Sequence, residues 1–227
     1  MACVIARAIR DGEQVGVGVN SPIPAAGVLL AKRTHAPGIR FRLPGVVGSE
    51  LFVGSKEFFD FAQRGRLDVF FLSGVQIDAR GRINLHVLGD YARPTRRFPG
   101  AFGSAVLYPL VRRVILFRTE HSPRVFVPRV DFVSAVGVPD RVVTPLAVLG
   151  FDRKLERLLI DSYHPGQSLE SVRAATGFEL GARAMVRETS PPSAEQLRVL
   201  REEVYPRLAG VYPAFVAAMS GRSPSSG

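Results

Sequence analysis

Apolar and polar positions along this chain repeat with two periods, one helical and one of strand type, and their succession predicts an ordered set of elements. Val4, Ile5, Ala8 and Ile9 recur at helical spacing, so the chain opens on a short amphipathic helix that Asp11-Gly12 ends. Gln14 to Val19 (Q-V-G-V-G-V) alternates as a strand does, Asn20 to Pro24 reads as a loop, and Ala25 to Arg33 reads as a second helix. Ile39 to Phe41 is a second short strand. Ser55 to Gln63 sets Phe58, Phe59 and Ala62 on one helix face, with Ser55 as its cap. Leu67 to Leu72 (L-D-V-F-F-L) is short, aromatic and branched, and Gly74 punctuates it, which marks a buried strand.

Ala79-Arg80-Gly81-Arg82 then forms a tight turn, and Ile83 to Leu88 restarts an extended run. A loop of arginines and prolines leads to Pro99-Gly100-Ala101-Phe102-Gly103-Ser104, ahead of the short apolar stretch Val106 to Leu110. Val114 to Phe117 is another strand. Val125 to Val136 holds two extended pieces broken by Pro128, and Val142 to Phe151 one more around Pro145. A helix is expected from Ser168 to Ala175, with Glu170 near its positive end. Ser193 with Gln196 fits a capping box that opens a final helix running to Val204. Strands alternating with helices predict an α/β layered sheet, partly parallel, and closely spaced strands in the middle require some antiparallel pairing. One domain is expected over residues 1–219, with a small polar tail, 220–227, expected to be disordered.

Composition narrows the classes of function. The 227 residues are 46% hydrophobic with a mean hydropathy of +0.13, yet no uncharged run approaches the length of a membrane span. Met1 to Arg10 carries two arginines and no cleavage-like site, so no signal peptide is expected and the cytoplasm is the expected location. The single cysteine, Cys3, excludes an internal disulfide and a cysteine-based metal site. A net charge of +10 is compatible with nucleic-acid binding, but the basic residues are spread along the chain in blocks no longer than two. There is no zinc finger, no RNP-like aromatic pattern and no helix-turn-helix. Of the 30 basic residues only Lys32, Lys56 and Lys154 are lysine, and the arginine excess suits bidentate binding of phosphates and carboxylates. The glycines of V-G-V-G-V lack dinucleotide spacing, no G-x-S-x-G or P-loop occurs, and no histidine pair has metal-ligand spacing.

The tract Leu72 to Asn84 and its continuation Ala92 to Ser104 organise the candidate chemistry. A small-residue loop such as Pro99 to Ser104 lets a substrate approach the backbone and presents N–H groups to a developing oxyanion; a plain turn is the competing reading. Gln76, Asp78 and Asn84 surround a tight turn, which they either hold or use to contact a ligand. Arg93, Arg96 and Arg97 stand at the mouth of the loop, where they clamp an anion or form a solvated basic surface.

In order along the chain, Gly74-Val75-Gln76-Ile77-Asp78 with Gly81 and Asn84, then Pro99 to Gly103, His121 to Phe132 and His164-Pro165-Gly166 resemble the motifs of the class I coenzyme A transferase family, β subunit, glutaconate-transferase type. The resemblance covers residues 1 to 205. The same tracts, and R-P-T-R (Arg93 to Arg96) in particular, look closest to a hydrolytic branch that opens carbon rings of CoA thioesters in steroid degradation.

The resemblance implies a three-layer α/β/α sandwich with a mixed, mostly parallel sheet. It also implies an enzyme active only with an α subunit, as a heterodimer or higher hetero-oligomer, with acyl-CoA as substrate. Coenzyme A would then be part of the substrate, with no permanently bound cofactor, no metal, and no nucleic-acid or membrane partner. Gly100, Ala101, Phe102 and Gly103 would form the oxyanion and thioester loop, with Gln76, Asn84, Arg93, Arg96, Arg97 and Ser104 at the substrate. His121 and His164 match family positions, against the competing reading of packed or turn-capping histidines.

The family's transferases attack the thioester with a glutamate just after the second strand. Laying Arg42 to Gly48 against that motif keeps the glycines and sets Leu43 where the glutamate belongs. Leucine has no lone pair, so the expectation is hydrolysis or carbon–carbon ring opening instead of covalent transfer. Glu50, the nearest acid downstream, is the candidate for a relocated nucleophile, against a solvated carboxylate. The alternatives are a true transferase of 3-oxoacid or glutaconate type and a non-catalytic scaffold for an α subunit.

Overall fold

In a computed structural model, which describes residues 1–46, 48–49, 51 and 54–221, the chain begins with the predicted helix–strand–helix series. Glu50 and the tail from residue 222 lie outside those residues. The first elements are α1 (Ala2–Ala8), β1 (Gln14–Gly16), α2 (Pro22–Arg33), β2 (Arg40–Arg42), α3 (Ser55–Gln63) and β3 (Val69–Leu72). Short strands follow, β4 (Gln76–Asp78), β5 (Ile83–Asn84), β6 (Val87–Leu88) and β7 (Arg96–Arg97), then α4 (Ser104–Leu110), β8 (Arg113–Phe117) and β9 (Phe126–Val127). Next come β10 (Pro139–Val143), β11 (Ala147–Asp152), β12 (Arg157–Tyr163), α5 (Leu169–Ala174) and β13 (Gly181–Glu188). The C-terminal helices are α6 (Ala194–Val199), α7 (Tyr205–Leu208) and α8 (Pro213–Met219), with a π-helical turn at Leu200–Val204.

Eight strands hydrogen-bond in the order β13-β12-β11-β10-β8-β3-β1-β2. β1 runs parallel to β2 and β3, β8 to β10, and β12 to β13, whereas β10–β11 and β11–β12 are antiparallel. This is the mixed sheet of an α/β fold. The predicted single strand around Pro145 is instead a hairpin. Thr144 Oγ1 accepts from the amides of Leu146 (3.3 Å) and Ala147 (3.0 Å), so the chain reverses at Pro145 and pairs Val143 with Val148.

Other differences have local causes. α2 begins at Pro22, three residues before the predicted start, because proline has no N–H to lose in a first turn and its φ already suits a helix. Of the run Val125 to Val136 only Phe126–Val127 is strand, and Ala135 makes a single bridge to Ile83. β13 has no fully buried residue, so no apolar alternation announced it. The capping boxes at Ser168 and Ser193 both form, the second with Gln196 as predicted, whereas Ser55 is not a cap: Gly54 holds that position with no side-chain bond, and Ser55 is the first helical residue.

By its contacts the chain divides into two units, Met1–Phe70 with Pro192–Gly227, and Phe71–Pro191. The first is built on Ile5, Val15, Leu29, Leu30, Ile39 and Leu43, all fully buried or nearly so. The second is built on Ile77, Ile83, Ile115, Leu116, Phe126, Leu149 and Ile160. Each such side chain contributes roughly 1.5–3 kcal/mol through the water it sheds, which is ample to fix the short strands that carry polar groups.

Candidate active site

The tract Gly74 to Asn84 becomes the β4–β5 hairpin of the second unit. Asp78 is fully buried and closes the turn: its Oδ1 accepts from the amides of Arg80 (3.0 Å) and Arg82 (3.1 Å), and its Oδ2 takes Arg82 Nε at 2.6 Å. Gly81 turns at φ +73°, a conformation few other residues adopt, and its carbonyl accepts from the Tyr108 hydroxyl at 2.8 Å. Burial, reinforced by the Asp78 charge, holds that phenol well above its ordinary range. A Cβ on Gly74 would lie 2.8 Å from the carbonyl oxygen of Gln76, so the hairpin can close only over a glycine.

Gln76 and Asn84, expected at the substrate, hold the chain in place. Gln76 Oε1 accepts from Asn84 Nδ2 (2.8 Å) and from the Asp131 amide (2.9 Å), while its Nε2 donates to Asp131 Oδ2 (3.0 Å). Asn84 Nδ2 also donates to the Val87 carbonyl (2.6 Å), and its Oδ1 accepts from the amide of His86 (3.0 Å). Both amides are thereby spent on positioning residues 84–89 and 131. Asp131 Oδ2 also accepts from the Gly89 amide at 2.8 Å.

β6 and β7 form a ribbon, Val87 paired with Arg97 and Leu88 with Arg96, and the Phe98 amide donates to the His86 carbonyl at 2.8 Å. Asp90 caps the connecting turn, accepting from the Ala92 (2.8 Å) and Arg93 (3.0 Å) amides. The three arginines do not converge on one point. Neighbours in a strand point to opposite faces. The Arg96 guanidinium lies 5.1 Å from the Phe98 ring centroid, and that of Arg97 lies 5.1 Å from the Tyr91 centroid, with Nη2 donating to the Tyr91 carbonyl (3.0 Å). Arg97 therefore braces its own loop, whereas Arg93 and Arg96 are exposed beside it.

That ribbon delivers the loop Gly100 to Ser104. The Ser104 amide donates to the Ala101 carbonyl (2.8 Å), and Gly103 and Ser104 are buried. Among the described residues, the amides of Gly100, Ala101 and Gly103 meet no hydrogen-bond acceptor. Gly100 turns at φ +101° and Phe102 at φ +44°, and Phe102 is 81% exposed. A left-handed conformation at a residue with a Cβ costs roughly 1–2 kcal/mol, so Phe102 sits at the loop tip against local preference.

His86 is a residue whose sequence context gave no reason to single it out. Its Nδ1 lies 2.6 Å from Ser134 Oγ, its ring packs on Phe132 with centroids 4.9 Å apart, and a Cβ on Gly100 would sit 3.4 Å from its Nε2. The only signal in the sequence was its place between Asn84 and the loop, which single-residue spacing does not distinguish from surface.

The two histidines that matched family positions are packing groups. His121 is buried between Thr144 Oγ1 (Nδ1, 2.8 Å) and Thr176 Oγ1 (Nε2, 3.0 Å), with its ring 4.2 Å from that of Phe126. Burial lowers its pKa to about 4, so it stands neutral. His164 Nε2 lies 2.9 Å from the Thr144 carbonyl, and burial lowers its pKa as well. Among the described residues no cluster of His, Cys, Asp and Glu could hold a metal ion, and no helix is long and apolar enough to cross a membrane.

In the first unit, Leu43 is fully buried and opens a turn through Pro44 and Gly45, where the Val46 amide donates to the Leu43 carbonyl (3.1 Å). Ser49 Oγ accepts from the Leu43 amide (3.2 Å) and bonds its carbonyl (2.8 Å).

A sequence model described as coenzyme A transferase matches residues 41–175. The B subunit of glutaconate CoA-transferase from Acidaminococcus fermentans is 28% identical, covering 90% of this chain and 91% of its own. The cholesterol ring-cleaving hydrolase IpdB subunit of Rhodococcus jostii is 30% identical over 82% of this chain and 83% of its own. The crystal structure of the decarboxylase AibA/AibB superposes with a TM-score of 0.81 at 28% identity, covering 88% of this chain and 91% of that one.

Proposed function

The chain belongs to the coenzyme A transferase family, and from that membership we propose that it is the β subunit of a hetero-oligomeric enzyme acting on an acyl-CoA thioester by hydrolysis or carbon–carbon ring opening. Leu43 carries the choice between these reactions and covalent transfer. At the position that resembles the transferase glutamate stands a side chain with no lone pair, fully buried in its own unit. The relative named as a ring-cleaving hydrolase supports the same choice.

The work left to this chain is binding and electrostatic. The free amides of Gly100, Ala101 and Gly103 receive the oxygen on which charge develops, and one such donor is worth roughly a hundred- to a thousandfold in rate. Arg93 and Arg96 hold a phosphate or carboxylate of the substrate. A carboxylate from an α subunit serves as the base. A relative that is itself the B subunit of a transferase, and the two-component name AibA/AibB, support that partner. Coenzyme A is part of the substrate and no other cofactor is invoked. The cytoplasm, where acyl-CoA is held, is the place of action.

The test is intact mass of this subunit after the assembled enzyme meets acyl-CoA and borohydride. The expected result is an unchanged mass and no exchange of acyl groups between donors and acceptors, whereas a glutamyl–CoA thioester would be reduced by borohydride to the alcohol, expel its CoA and leave the subunit lighter. A modification mapped to Glu50 overturns the reading and restores covalent transfer. Equal turnover by the α subunit alone reduces this chain to a scaffold.

A further inference from the structure

His86 is held on three sides and faces a glycine on the fourth. Ser134 Oγ stands 2.6 Å from Nδ1, the Phe132 ring packs on the imidazole, and Phe132 itself stacks on Tyr91 with centroids 4.8 Å apart. The main chain of His86 is pinned at both ends, its amide on Asn84 Oδ1 and its carbonyl on the Phe98 amide. Among the described residues no hydrogen-bond partner reaches Nε2, which faces Gly100. A Cβ there would touch Nε2 at 3.4 Å and Cδ2 at 3.6 Å, so the missing side chain leaves that edge of the ring uncovered.

The hydrogen bonds of Ser134 favour one placement of the ring proton. Its Oγ already accepts from the Leu85 amide at 2.7 Å, a donor whose direction is fixed by the backbone. The hydroxyl hydrogen has no acceptor among the described residues other than His86 Nδ1. A hydroxyl that donates to Nδ1 leaves the neutral ring with its proton on Nε2. The second nitrogen is then a donor, oriented by its partner and directed at the loop.

We infer that His86 is a further catalytic residue of this site: with a proton on Nε2, it donates a hydrogen bond to the acyl oxygen of a CoA thioester seated on the Gly100–Gly103 loop. No proton is transferred; the bond strengthens as negative charge grows on that oxygen, and it adds a side-chain donor to the backbone amides of the loop. The inference rests on the acyl-CoA reading given above.

Two measurements test it. The first is a long-range ¹H–¹⁵N spectrum of the enzyme assembled with its α subunit, with only this chain labelled in its imidazoles and His86 assigned by its loss in H86Q. The ring is expected in the Nε2–H form, and acetyl-CoA is expected to move the Nε2 signal while free coenzyme A does not. An Nδ1–H ring overturns the inference whatever the enzyme turns over, and so does an equal response to both compounds. The second is steady-state kinetics of the enzyme assembled with its α subunit, with acetyl-CoA and succinyl-CoA as probes. H86A is expected to lower kcat roughly a hundred- to a thousandfold with little change in KM, and H86Q, which keeps an N–H donor, to recover part of it. Unchanged kcat in H86A beside an active wild type sinks His86 alone. A wild-type assembled enzyme that binds neither thioester sinks the acyl-CoA reading itself, with the ring form still deciding the proton's place.

Discussion

His121, His164 and His86 carry one side chain into three environments, and the environment assigns each its work. His121 is enclosed by two threonine hydroxyls and a phenyl ring, and burial lowers its pKa to about 4. An unfolded chain binds a proton there near pH 6.5 while the fold refuses it until about pH 4, so stability is whole above the first value and lost as pH falls toward the second. Between pH 7 and 4.5 the loss comes to about 2 kcal/mol. Urea midpoints at both pH values measure it, and H121Q should shed most of the difference. A variant with the same acid sensitivity as the parent would show that the carboxylates alone account for it. His86, in the same unit, has a partner at Nδ1 and none at Nε2 among the described residues, and it is that second nitrogen the inferred role uses.

At the scale of elements, the polar side chains of the β4–β5 hairpin are spent within it, on Val87 and on Asp131, whereas the amides of Gly100, Ala101 and Gly103 meet no acceptor among the described residues. α4 follows that loop with Leu107 and Tyr108 buried and Val106 and Leu110 turned outward, 40% and 42% exposed. We expect these two side chains to meet the α subunit, since apolar groups next to a site are often covered by a partner. Replacing both with aspartate should leave folding within about 0.5 kcal/mol per site, as surface changes do, and should break assembly with the α subunit. Native mass spectrometry of the co-expressed pair reads the outcome. Full retention of the complex would move the interface elsewhere.

For the whole molecule the charge matters more than any single arginine. A net charge of +10 on a chain whose proposed substrate carries phosphates speeds encounter through long-range attraction. At physiological salt that attraction is damped beyond roughly 8 Å, so kcat/KM should fall as ionic strength rises from low values while kcat holds. A kcat/KM indifferent to salt would leave the arginine excess without a part in binding.

By itself the sequence determined the class of fold, the Ser193 cap and the hairpin motif, because each depends on neighbours in the chain. Buried runs such as Val69 to Leu72 announce a strand by content, Ser193 and Gln196 cap a helix within four residues, and Gly74, Asp78 and Gly81 close one turn. Position after folding is what it did not carry. Gln76 and Asn84 read as equally suited to ligand or to turn; the fold pairs them with each other and brings Asp131, 55 residues away, onto Gln76. His86 acquired Ser134, 48 residues on, and thereby an orientation no local pattern encodes. β13 was invisible because neither of its faces is buried, and its pairing with β12 comes from the backbone. Local chemistry fixes what a segment can become, and only long-range packing decides which of its polar groups remain unspent.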